Sequence, residues 1–152
     1  MAGIKKPKQL IGALECANLP ELGIYNLTMR VDTGAATSSL HVDNIEEFKK
    51  DNVRWIRFDI HPDIHDVAKT VRCEYKVLSQ KKVKSSTATR EKRYVIKTRF
   101  ELGKRAWKIK LTLTDRSEMT YLMLLGRQAM AGKCIVDPDL EFCVSSPNAL
   151  PK

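Results

Sequence analysis

The chain has 152 residues, 43% of them hydrophobic, with seven Gly and six Pro: enough for one domain with a core, and too apolar for a disordered chain. Its formal net charge of +9 suits an anionic partner, while the four cysteines, Cys16, Cys73, Cys134 and Cys143, include no C-x-x-C pair and so argue against a zinc ribbon or a small disulfide framework. No stretch reaches membrane-spanning length, and Met1 to Pro20 lacks the apolar run and cleavage site of a secretory leader. A soluble, cytoplasmic protein with reduced thiols and no membrane contact is expected, built as a single domain over 1–152 with flexible ends at 1–10 and 145–152.

Strand patterning dominates, as segments that alternate with a period of two. Tyr25, Leu27, Met29 and Val31 alternate with Asn26, Thr28 and Arg30, which predicts a strand running into Asp32. Asp43 followed by Glu46 has the spacing of a capping box and predicts a short helical turn through Phe48. Ile56, Phe58 and Ile60 alternate with Arg57 and Asp59, as Cys73, Tyr75 and Val77 do with Glu74 and Lys76, so these strands can pair across the polar connection His61 to Lys69. Gln80 to Arg93, QKKVKSSTATREKR, is polar and basic and reads as a mobile loop or hairpin tip. Ile96, Thr98, Phe100 and Leu102 then face Trp107, Ile109, Leu111 and Leu113 in a hairpin that turns at Gly103 and Lys104, with Lys97, Arg99, Lys108 and Lys110 on its other face. Arg127 to Ala131 predicts another short helix.

The positive charge is concentrated. Ser79 to Lys110 holds twelve Lys and Arg against Glu91 and Glu101, a surplus of ten that exceeds that of the whole chain. Such a field captures an acidic peptide or a nucleic acid, or else is a solvated face with no dedicated partner.

An Asp-Thr-Gly tripeptide by itself is also ordinary turn chemistry. Here it follows an alternating strand, in Val31-Asp32-Thr33-Gly34-Ala35-Ala36-Thr37-Ser38-Ser39-Leu40, and is answered later by Leu122-Met123-Leu124-Leu125-Gly126-Arg127. This pairing resembles the retropepsin family of aspartic proteases. More narrowly, VDTGAATSSLHV, LTLTDRSEM and MLLGRQAM, in that order, are similar to the bacterial retropepsin-like family often labelled "ATP-dependent zinc protease" and associated with the RimK glutamate ligase. The resemblance runs from about Ile11 to Val144. It implies a mainly β fold, a closed retropepsin-like barrel with one or two short helices.

The resemblance also implies chemistry. Asp32, Thr33 and Gly34 would form the catalytic loop, a water between two facing Asp32 carboxylates attacking the peptide carbonyl while one carboxylate acts as base and the other as acid. One D-T-G in a chain too short for two lobes implies a homodimer with its two-fold axis between the aspartates. Thr33 would brace the dimer, Ala35, Leu124, Leu125, Gly126 and Arg127 would support the loop, and Gln80 to Arg93 falls where the family carries its flap. Retroviral members pair the arginine of Gly-Arg with an acid four positions after the catalytic aspartate; here that position is Ala36, so Arg127 needs another partner. The flap region has Ser85, Ser86 and Thr87 in place of glycines.

The residues support neither ATP nor zinc, so no cofactor and no metal is expected. GRQAMAGKC, Gly126 to Cys134, has five residues between its glycines and a Cys where a phosphate loop has Ser or Thr. There is no H-E-x-x-H; His61 and His65 bracket Pro62, and His41 reads as structural or surface. Ser38 and Ser39 lack a nucleophile elbow and read as loop supports. Lys97, Arg99 and Arg116 are candidate anchors for an acidic substrate, polyglutamate or a glutamylated tail. The competing reading is a non-catalytic basic module for RNA or acidic protein; with two Trp, four Tyr and four Phe and no RNP-like motif, nucleic acid is the less favoured partner.

Overall fold

The computed structural model describes residues 7–61, 69–84, 90–115 and 120–147, with backbone alone for 81–84 and 90–92. Residues 62–68, which include His65, the tip 85–89 and Arg116 lie outside the described residues. In chain order the elements are β1 (Gln9–Ile11), β2 (Leu14–Leu19), a 3-10 turn (Pro20–Leu22), β3 (Ile24–Asp32), β4 (Ser38–His41), β5 (Asp43–Lys50), β6 (Val53–Ile60) and β7 (Val71–Lys76). They continue as β8 (Ser79–Lys84), β9 (Arg90–Leu102), β10 (Arg105–Thr114), β11 (Met123–Gly126), α1 (Arg127–Met130) and β12 (Cys134–Val136).

Six strands close a barrel. The order β10-β4-β11-β3-β2-β9 returns to β10, because Leu111 pairs with Ser38 of β4 on one side and with Ile96 of β9 on the other. Closure removes the open edges that a flat sheet would expose. β8 extends β9 outward, β5-β6-β7 form a separate three-stranded sheet, and β1 pairs with β12 in parallel. One apolar cluster joins these parts: Ile56, Phe58 and Ile60 of β6 are fully buried with Leu19, Met29, Leu40 and Leu111 of the barrel. Each fully buried aliphatic or aromatic side chain contributes on the order of 1.5–3 kcal/mol.

The β9–β10 hairpin and the β6–β7 pair form as their alternation predicts, with Phe100 opposite Trp107 and Phe58 opposite Cys73. Gly103 takes a φ of 61° at the hairpin turn, a conformation that costs a side-chain-bearing residue. Gln80 to Arg93 is a hairpin rather than a loop on both sides of its tip, since β8 pairs with β9 from Ser79↔Val95 to Lys84↔Arg90.

Two expectations are corrected. The helical turn over Asp43 to Phe48 is strand β5: Asn44 is left-handed at φ 54°, the register slips between Asp43 and Glu46, and Glu46 meets Arg57 and Arg72 instead of closing a cap. Tyr25 is exposed rather than in the core. Asn26, left-handed at φ 57°, adds a residue to β3 between Leu27 and Ile24, so Ile24 takes the inward place. Near the two ends, Gln9 and Leu10 pair with β12 in β1, and the Ser145 hydroxyl donates to Glu15.

Glu15 is fully buried and its carboxylate ties the segment after β12 to the start of β2. Its oxygens accept from the backbone N–H of Gly12 at 2.8 Å, Cys143 at 2.8 Å and Val144 at 3.2 Å, and from Ser145 Oγ at 2.6 Å. Removing such an acceptor strands several donors at once. Glu15→Ala is expected to lower stability by at least about 2 kcal/mol in urea unfolding, with amide exchange at Cys143 and Val144 rising first.

Candidate active site

β3 and β11 run parallel, and their register sets Gly126 beside Asp32. At Asp32 the chain leaves the sheet and turns: the Gly34 N–H donates to Asp32 Oδ1 at 3.0 Å, and the Ala35 N–H to the Asp32 carbonyl at 3.2 Å. Asp32 is half-buried, whereas Thr33 and Gly34 are exposed. The carboxylate and the two residues after it thus stand at the surface of a single chain.

From behind, the loop is held by the turn from β11 into α1. The Gly126 N–H donates to Ser38 Oγ at 2.9 Å, the Arg127 N–H to the Ala35 carbonyl at 2.8 Å and the Gln128 N–H to the Ala36 carbonyl at 3.1 Å. Arg127 Nη1 donates to the carbonyls of Gly34 at 3.0 Å and Thr33 at 3.4 Å. Those carbonyls are the partners that Arg127 lacks at Ala36, and they hold the loop by its backbone. Leu125 is fully buried beside Val31, and half-buried Leu124 pairs with Arg30. A Cβ on Gly126 would lie 2.6 Å from the Thr37 carbonyl oxygen, so only glycine permits this approach.

Lys97 and Arg99 are exposed on β9, opposite Lys110 and Lys108 of β10. Lys97 reaches the flank of the loop, in a depression shared with Thr37, Ser38, Lys108, Lys110 and Gln128. Arg99 turns instead toward Glu101, its Nε 3.4 Å from Oε2, while its backbone N–H donates to Glu21. The sequence thus points to the basic strand face, but not to Gln128, whose contribution is a backbone N–H and leaves no side-chain signature. α1 is pinned by the Trp107 indole N–H, which donates to the Ala129 carbonyl at 2.9 Å. Elsewhere, His41, Asp43 and Asp115 each bring one ligand-type atom within 4.8 Å of the others. All four cysteines are free, and burial pushes the Cys73 and Cys134 thiols up to about 11.

Residues 10–147 match the family model described as RimB-like, the retropepsin-like aspartic endopeptidase RimB. The chain belongs to the RimB-like family. Among curated proteins it is 45% identical over 141 residues to a Shewanella halifaxensis protein named "Probable alpha-L-glutamate ligase", covering 93% of this chain and 31% of that one. A Parasynechococcus marenigrum protein of the same name is 47% identical over 132 residues, covering 87% and 28%. The chain therefore spans about a third of the length of these relatives. Among solved structures it is similar to the Legionella pneumophila protein Lpg0085, of unknown function, with a TM-score of 0.76 and 29% identity over 91% of this chain and 99% of that one. The RimB-like chain carries no helix, among the described residues, long and apolar enough to cross a membrane.

Gly126→Ala in this RimB-like chain is expected to cost about 1–3 kcal/mol through overpacking against the Thr37 backbone. Thermal unfolding reads the loss, and faster exchange of the Arg127 and Gln128 amides places it at the loop.

Proposed function

We propose that the chain is an aspartic peptidase subunit that hydrolyses peptide bonds through a water held between the Asp32 carboxylates of a homodimer. The observation that carries this reading is the Asp32-Thr33-Gly34 turn at the surface, its aspartate half-buried, held from behind by backbone donors and by the Arg127 guanidinium. Rigid positioning of an acid or base is what catalysis by proton transfer requires. Two facing carboxylates hold one proton between them, which equips one to take a proton from water and the other to protonate the carbonyl oxygen. A two-fold axis beside Asp32 supplies the second carboxylate and covers Thr33 and Gly34.

The substrate we favour is a glutamate-rich or glutamylated polypeptide. Lys97, Lys108 and Lys110 beside the loop suit it, with Arg99 and Arg116 as further anchors, and relatives that contain a stretch like this chain carry the name "Probable alpha-L-glutamate ligase". A cytoplasmic setting suits the four free thiols. The exposed face of Lys97, Arg99, Lys108 and Lys110 also favours a second reading, a binding module for RNA or acidic protein without catalysis.

Purified protein and Asp32→Asn, incubated with a glutamate-rich peptide library and read by mass spectrometry, separate the readings. Cleavage by the parent that drops at least about a hundredfold in Asp32→Asn is expected, in line with the loss of a catalytic acid or base. No cleavage by the parent, with salt-sensitive RNA binding indifferent to Asp32→Asn, would favour the binding module. Lys97→Glu is expected to weaken cleavage of acidic peptides more than of neutral ones; equal effects would remove Lys97 from the substrate site.

A further inference from the structure

Beside the start of β10 lies a depression of about 660 Å3 whose charged lining is Lys8, Lys104, Arg105 and Lys133. Arg105 builds it. Its Nη1 donates to the Pro7 carbonyl at 2.9 Å and to the Lys133 carbonyl at 3.4 Å, and the Gln9 N–H donates to that same Lys133 carbonyl at 2.9 Å. One guanidinium thus ties the residue before Lys8 to the segment after α1, so that the backbone holds both lysines beside it. Trp107 forms a wall. Its indole N–H is fixed on the Ala129 carbonyl, its ring meets Phe100 edge-on with centroids 5.2 Å apart, and Lys133 Nζ lies 5.9 Å from its centroid.

No acid lines the depression, and among the described residues none of its four cations is ion-paired; the acids of the three-stranded sheet meet Arg54, Arg57 and Arg72 instead. Lys8 and Lys104 are exposed, Arg105 and Lys133 half-buried. An adjoining depression of about 350 Å3 shares Trp107 and Lys133 and adds Lys97, Lys108 and Lys110, again without an acid. Together the two make a trough of one sign, which concentrates polyanions from solution.

We propose that the Lys8, Lys104, Arg105 and Lys133 depression binds the phosphate backbone of a nucleic acid without reading its bases. The inference goes beyond peptide cleavage and does not depend on it. Phosphates spaced along a strand suit separate ammonium point charges, whereas a carboxylate is held best by a free guanidinium fork. Here the one fork is engaged, since Arg105 Nη1 serves two backbone carbonyls. Bases find no stacking platform, because Lys133 lies over the Trp107 ring and Phe100 abuts it. What remains for recognition is charge along a backbone, and that term is sequence-independent and strongly salt-dependent.

Fluorescence anisotropy of a labelled, mixed-sequence, single-stranded RNA oligomer, titrated with the full chain at several salt concentrations, tests this. Saturable binding is expected, with log K falling against log salt at a slope of about −3, the value for four neutralised phosphates. Lys8→Ala combined with Lys104→Ala is expected to weaken binding at least about tenfold at low salt and to flatten the slope by about 1.4. Both side chains are exposed, so circular dichroism and peptide cleavage should stay those of the parent; should the pair fail to fold, Lys104→Ala alone is expected to flatten the slope by about 0.7. Asp32→Asn is expected to bind as the parent does. A parent that binds without cleaving would therefore sink the peptidase reading alone, and one that cleaves without binding would sink this one. Undiminished affinity in the lysine variants, a slope near zero, or displacement of the RNA by a polyglutamate peptide of equal charge as readily as by unlabelled RNA would overturn the proposal.

Discussion

The geometry of the acidic loop depends on how closely β11 can approach residues 37–38. Gly126 has no side chain to hold the two segments apart, and the space a Cβ would fill is occupied by the Thr37 backbone. That contact lets the Gly126 N–H reach Ser38, and the next two amides reach Ala35 and Ala36. Arg127 then closes over the Thr33 and Gly34 carbonyls. A loop clamped through its own backbone has few ways to move, and the Asp32 carboxylate inherits that rigidity. Ala36 can therefore replace an acid without leaving Arg127 unused.

Charge is distributed in the same spirit. The three-stranded sheet meets its arginines with acids, Arg57 with Glu46 and Glu74 and Arg72 with Asp59 and Glu46. Asn44, followed by Arg72, holds the Asp59 carboxyl below its usual range by hydrogen bonding. On the β9–β10 hairpin the lysines face one another instead, Lys97 across from Lys110, so Lys97, Arg99, Lys108 and Lys110 share one exposed face of the barrel. Exposed pairs contribute little to stability, and a field of one sign does more for capturing a partner than for the fold.

Much of this was legible in the sequence wherever period-two alternation was unbroken. Phe100 and Trp107, or Phe58 and Cys73, declare their pairing because each inward residue is apolar and each outward one polar. The pattern misleads at left-handed asparagines. Asn26 shifts the phase of β3 and exposes Tyr25, and Asn44 bends β5 where Asp43 and Glu46 imitate a helix start. The Asp32 loop and its Gly126-Arg127 brace stand out through residue type. Glu15 does not, because its partners are backbone amides and a serine hydroxyl, most of them some 130 residues further along the chain.

In the proposed dimer two chains each supply one Asp32 to a single site. Mixing parent and Asp32→Asn chains at fixed total concentration, with time for subunits to exchange, tests it most directly. If both aspartates are needed, peptide hydrolysis falls with the square of the parent fraction. A linear fall would show that each chain works with its own Asp32 alone, and would contradict the shared site.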